Sequence, residues 1–112
     1  MAINSRAKGA AAEREFANYL KDRGHGTARR GQQFSGGADS PDVVCPTLPG
    51  VHFEVKRVEK GNLYLWLDQA MRDAAQKVPV VVHRKNKREW VAILPLDELL
   101  TLLENVRAIQ RP

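Results

Sequence analysis

The 112-residue sequence predicts a single-domain α/β fold, a central mixed β-sheet flanked by helices in the order α-β-β-β-α-β-β-α. Segments of helical composition alternate with β-rich segments, and no internal repeat or low-complexity tract interrupts them. The run Val51 to Lys56, "VHFEVK", alternates apolar and polar side chains with the period of a strand. Turn-forming stretches, "GQQFSGGADSP", "PTLPG" and "RKNKRE", separate the elements.

Each element follows from its own residues. Ser5 to Arg23 has helical composition, and Gly24 ends the run. At about 100° per residue, Gly9, Ala12, Phe16, Tyr19 and Leu20 define its apolar face. Thr27 to Arg30 fits a short strand, followed by the Gly/Ser-rich loop. Asp42 to Cys45 and Val51 to Arg57 read as two strands joined by "PTLPG". Leu65 to Lys77 reads as a helix, with Leu63, Leu67, Ala70, Ala74 and Val78 at helical spacing. Pro79 to His83 and Trp90 to Leu94 are β-rich, and Pro95 to Arg107 closes the chain as a helix. Residues 1–112 are expected to form one domain, with its core between residues 5 and 107.

Composition removes several function classes. No apolar run approaches the roughly 18 residues that span a membrane. The N-terminal "MAINSRAKGAAAERE" has no apolar block like that of a secretory signal. A lone cysteine, Cys45, excludes an internal disulfide and a Cys-rich zinc site, and suits a reducing cytoplasm. "GHGTARRG" lacks the spacing and the Gly-Lys-Ser/Thr of a phosphate loop, so no nucleotide cofactor is expected.

The net charge is +5, which favours a polyanionic partner, nucleic acid being the commonest. Residues 1–56 carry eight Lys/Arg against six acids and residues 57–112 ten against seven, so the excess is not confined to a tail. Local clusters are Arg29-Arg30 and "HRKNKR", His83 to Arg88. Each could be a solvated turn or a phosphate contact. Trp66 and Trp90 read as packing residues, and His25, His52 and His83 are too scattered in sequence for a zinc site.

The acids carry the sharper signal. Glu13 falls roughly 50° from the centre of the first helix's apolar face, Glu15 about 110° away, and Arg14 nearly opposite. A carboxylate at the margin of a core-facing stripe either pairs with a base, bends to solvent or binds a metal. In the strand Val51 to Lys56, Val51, Phe53 and Val55 share one face, and His52, Glu54 and Lys56 share the other. That second face is either solvated or a site, in which case His52 could also approach DNA. Asp42 opens the preceding strand beside Pro41, where a hairpin-like return would bring it near Glu54. Carboxylates held close repel one another unless a hard cation neutralises them, and Mg²⁺ suits a few carboxylates with several waters. A lysine on the same face completes the parts for metal-assisted phosphodiester hydrolysis.

Glu13, the "PD" of Pro41-Asp42 and the "EVK" of Glu54 to Lys56 resemble the PD-(D/E)xK nuclease superfamily, whose core is restriction-endonuclease-like. More narrowly, "KGAAAEREF", "FSGGADSPDVV" and "YLWLDQAMRDA" are similar to archaeal-type Holliday junction resolvases and related small phage-encoded endonucleases, over roughly residues 4 to 95. The resemblance implies Asp42 and Glu54 as main metal ligands, helped by Glu13 and the carbonyl of Val55, with Lys56 as catalytic lysine. It also implies Gln69 near the site or the phosphate, and Ser35 in a loop brought to the scissile strand.

Those features together lead to an expected Mg²⁺-dependent endodeoxyribonuclease, with Mn²⁺ able to substitute, acting on four-way or branched DNA. The alternatives are a nicking or end-processing nuclease, or a non-catalytic DNA-binding module of the same fold. Lys8, Arg14, Arg29, Arg30, Arg57, Lys85, Lys87 and Arg88 are the expected DNA contacts. Two opposed incisions require a homodimer, and "LYLWL" (Leu63 to Leu67) with Leu96, Leu99, Leu100, Leu102 and Leu103 offers spare apolar surface. The expected location is the cytoplasm of a bacterium or phage-infected cell.

Overall fold

A computed structural model of the chain describes residues 5–32 and 41–110. Its elements are α1 (Ser5–Asp22), β1 (Arg29–Arg30), β2 (Val43–Val44), β3 (Val51–Lys56), α2 (Leu63–Ala74), β4 (Val78–His83), β5 (Val91–Ile93) and α3 (Leu96–Gln110). The strands form one mixed sheet in the order β1-β2-β3-β4-β5. β1, β2 and β3 run antiparallel in succession, β4 is parallel to β3 through the α2 crossover, and β5 returns antiparallel to β4. The predicted α/β class and element order are those observed.

The sheet is covered on both faces over β3. Phe53, Val55 and Val82 join Ala12, Phe16, Ala17 and Leu20 of α1 in the core. Phe16 sets its ring edge-on to Phe53 at 5.2 Å and to Trp90 at 5.1 Å, a favoured aromatic geometry. On the opposite face α2 packs across β4 and β3, burying Ala70, Ala74 and Val81. The two alanines let the helix backbone approach closely. The expected stripe of α2 is realised at Ala70 and Ala74, with Leu67 half-buried, whereas Leu63 at the first turn is exposed and Val78 belongs to β4.

Local chemistry sets the element ends. Gly24, at φ 99°, takes the left-handed conformation that closes α1, and His25 N donates to Leu20 O. Asn62 caps α2 by accepting from the backbone N–H groups of Tyr64 and Leu65, which starts the helix two residues before the predicted Leu65. The helix stops at Ala74, with Ala75 at φ 54°, short of the predicted Lys77. The loop after β3 is tied down by two further bonds. His83 Nε2 donates to Val58 O at 2.8 Å, and Asn86 N donates to Glu59 Oε2 at 2.8 Å.

α3 differs from the other helices. Leu96, Leu99, Leu100, Leu102, Leu103, Val106 and Ile109 all remain exposed along it. No helix among the described residues is long and apolar enough to cross a membrane.

Candidate active site

β3 delivers the central carboxylate into a buried position. Glu54 is only 4% exposed because α2 covers the face it shares with His52. The solvated-face alternative for this strand is therefore wrong, as is an approach of His52 to DNA. His52 is 1% exposed, and its Nε2 donates to Glu54 Oε1 at 2.7 Å. The sequence alternation was read correctly, but it could not reveal that a helix lies over both faces of the strand.

Asp42 is placed by the backbone of the same strand. Its N–H donates to Phe53 O at 3.0 Å, and its Oδ2 accepts from Val55 N at 2.8 Å. Beyond Val43 the ladder partner of β3 is thus a side chain and not a strand. N–H and C=O of one strand residue point toward the same neighbour, so the Val55 carbonyl also lies on the Asp42 side.

Electrostatics link three acids. Burial pushes the Glu54 carboxyl above the usual 4.5, the His52 hydrogen bond opposes this, and the charge of Asp42 adds to the rise. Glu13 is likewise raised, first by burial, against the Arg30 hydrogen bond, and again by Asp42. Asp42 is the group common to both. Glu13 also receives Arg30 Nε at 3.0 Å. Its side chain is 13% exposed, against 35% for Glu15, in accord with their angles on the helical wheel.

The other expected site residues fall around this cluster. Lys56, half-buried at the end of β3, makes no ion pair among the described residues. With Lys8, Val55 and Arg57 it lines a cleft of about 320 Å³ between α1 and the segment after β3. Gln69 is exposed on α2, one turn before Asp73. Ser35 lies outside the described residues. Arg14, Arg29, Lys85, Lys87 and Arg88 are exposed, the last three in the turn between β4 and β5.

Three relationships were not legible in the sequence. One is the His52–Glu54 hydrogen bond. Another is Asp73, whose exposed carboxylate joins His52 and Glu54 in a group whose donor atoms lie within 4.8 Å of one another. Its position four residues after Gln69 and beside Ala74 was the available signal. The third is Glu15, which receives Arg57 Nε at 3.1 Å and Arg84 Nη1 at 3.5 Å. No local pattern announces a contact spanning that much chain.

The mixed five-stranded sheet with its flanking helices is compatible with a restriction-endonuclease-like core. A family model described as "Phage putative PDDEXK endonuclease" matches residues 4–111. The chain belongs to that family and is a nuclease, with DNA as its substrate. Comparison with curated proteins and with solved structures gives no match.

Proposed function

We propose that this nuclease is a Mg²⁺-dependent endodeoxyribonuclease, acting as one domain over residues 1–112, that cuts four-way (Holliday) junctions or other branched DNA as a homodimer. The observation that carries the reading is the Asp42 Oδ2–Val55 N hydrogen bond, which fixes the "PD" carboxylate against the "EVK" strand. The donor set fits a hard cation: burial first, and then the charge of Asp42, raises the carboxyls of both Glu13 and Glu54, a conflict that a divalent ion relieves. Asp42, Glu54, Glu13 and the Val55 carbonyl would hold it. Bound there, Mg²⁺ supplies Lewis acidity toward a phosphate oxygen and makes water easier to ionise. Mn²⁺, another oxygen-preferring ion, should substitute.

The protein's own groups do the rest. Lys56 orients the attacking water or takes its proton, and its charge stabilises the phosphate as negative charge builds on it. Gln69 reaches the site or the adjacent phosphate from α2. Lys8, Arg57 and the Lys85–Arg88 turn bind the DNA backbone, joined by Arg14, Arg29 and Arg30. Arg30 and Arg57 meet the DNA with their charge already partly balanced, by Glu13 and Glu15 respectively.

Dimerisation is supported by the run of exposed large apolar side chains along α3 and at Tyr64 and Leu65, the kind of surface that marks interaction sites. A two-fold pair would present two active sites to two opposed strands. The cytoplasm of a bacterium or phage-infected cell supplies the substrate. The test is a cleavage panel of labelled four-way junctions, flaps, duplex and single strands, with Mg²⁺ or EDTA, alongside sedimentation. Junction cleavage by a particle of about twice 12.6 kDa supports the reading. A strict monomer that nicks duplex as well as junctions would favour a nicking or end-processing enzyme.

A further inference from the structure

Glu54 has two other acids near it: the charge of Asp42 acts on it, and a carboxylate oxygen of Asp73 on α2 lies within 4.8 Å of one of its own. Burial first, and then the charge of Asp42, disfavour the ionised form of Glu54, so a donor that holds the carboxylate matters to its rotamer. His52 supplies a hydrogen-bond donor that reaches it from its own strand face, two residues away. The imidazole is 1% exposed, so packing fixes the donor as well as the bond. No buried side-chain polar atom among the described residues lacks a partner, and Nε2 and Oε1 are each other's.

We propose that His52 is a positioning residue of the active site: its Nε2–H holds Glu54 Oε1 and leaves the other carboxylate oxygen to the cation. The inference rests on the reading of Glu54 as a metal ligand. Partners of this kind, which hold a ligand without touching the metal, orient it before the ion arrives. His52 therefore acts through Glu54. Its loss should weaken cation binding by about ten- to a hundredfold, the usual cost of removing such a partner.

The test is calorimetric titration of the DNA-free protein with Mn²⁺. His52→Leu fills the space without a donor, His52→Gln carries an amide to about the position of Nε2, and His52→Asn falls short of it. Parent and His52→Gln should bind within a few-fold of each other, and His52→Leu and His52→Asn should bind at least tenfold more weakly, each titrated at a temperature where circular dichroism shows it folded. If His52→Leu does not fold, the Gln and Asn variants decide the matter. Equal affinities for those two would overturn the proposal. Glu54→Gln is titrated in parallel. Parental Mn²⁺ affinity there would refute Glu54 as a ligand, whereas lost binding there with unaltered binding in every His52 variant would refute only the positioning role.

Discussion

Val55 N donates to Asp42 Oδ2 across 2.8 Å, so the carboxylate proposed as a metal ligand is also a structural partner of the strand that carries Glu54. Asp42 completes the ladder where β2 ends, and that dual role can be separated by substitution.

Asp42→Asn keeps an oxygen acceptor for the Val55 N–H, and Asp42→Ala does not. The alanine variant leaves a part-buried donor unsatisfied, at a cost of about 1–3 kcal/mol. Chemical denaturation should therefore show Asp42→Asn near the parent and Asp42→Ala clearly less stable, while both lose cleavage. Equal stability of the two variants would mean that the hydrogen bond contributes nothing to the fold.

The raised carboxyls imply a pH dependence of the metal-free protein. Glu54 and Glu13 have folded pKa values above the usual 4.5, so their protonated forms favour folding. That stability is fully present below about pH 4.5 and is lost as pH rises through the raised values. Glu54→Gln removes the larger burial conflict. In EDTA, the melting temperature of Glu54→Gln minus that of the parent should grow from acid toward neutral pH, and Mg²⁺ should shrink the gap at neutrality. A difference that stays flat with pH would contradict the assignment.

Glu13 and Glu15 face different partners, and their neutral isosteres should behave differently. Glu13→Gln removes an acid coupled to Asp42 and should lower cleavage by at least about tenfold, a typical cost for a group that stabilises the reacting charge. Glu15→Gln only frees Arg57 and Arg84, and should leave the rate within a few-fold while tightening DNA binding at low salt. Equal losses in the two variants would remove Glu13 from the site.

The turn after β4 tests the phosphate contacts. Lys87 adopts φ 64°, a conformation that glycine tolerates, so Lys87→Gly combined with Lys85→Ser changes charge without straining the turn. If both lysines touch phosphates, the slope of log affinity against log salt should flatten by about one unit per lost contact. An unchanged slope would assign the turn to solubility alone.

How much of this the residues announced varies with the range of the interaction. The alternation of Val51 to Lys56 and the turn-forming stretches gave the strands, since period and punctuation are local properties. Pro41-Asp42 and Glu54 to Lys56 stand out as a candidate site for the same reason. The environment of Glu54 was not visible, because it depends on α2 lying over a face that its polar residues made look solvated. The arginines on Glu15 come from distant loops and were equally hidden. The bare face of α3 was half-legible: its leucines spread too widely for one stripe, but only packing could show how little of them the sheet covers.

Asp42, Glu54 and Lys56 are proposed to act together with a divalent cation to cut DNA. Single-turnover cleavage of a labelled four-way junction tests this most directly, with parent, Asp42→Asn, Glu54→Gln and Lys56→Ala each assayed in Mg²⁺ and in EDTA. The parent should cut in Mg²⁺ and not in EDTA. Each variant should bind the junction but cut at least about a hundredfold more slowly, the scale expected when a group that stabilises transition-state charge is lost. Cleavage that survives EDTA, or any of the three variants cutting at the parental rate, would contradict the account.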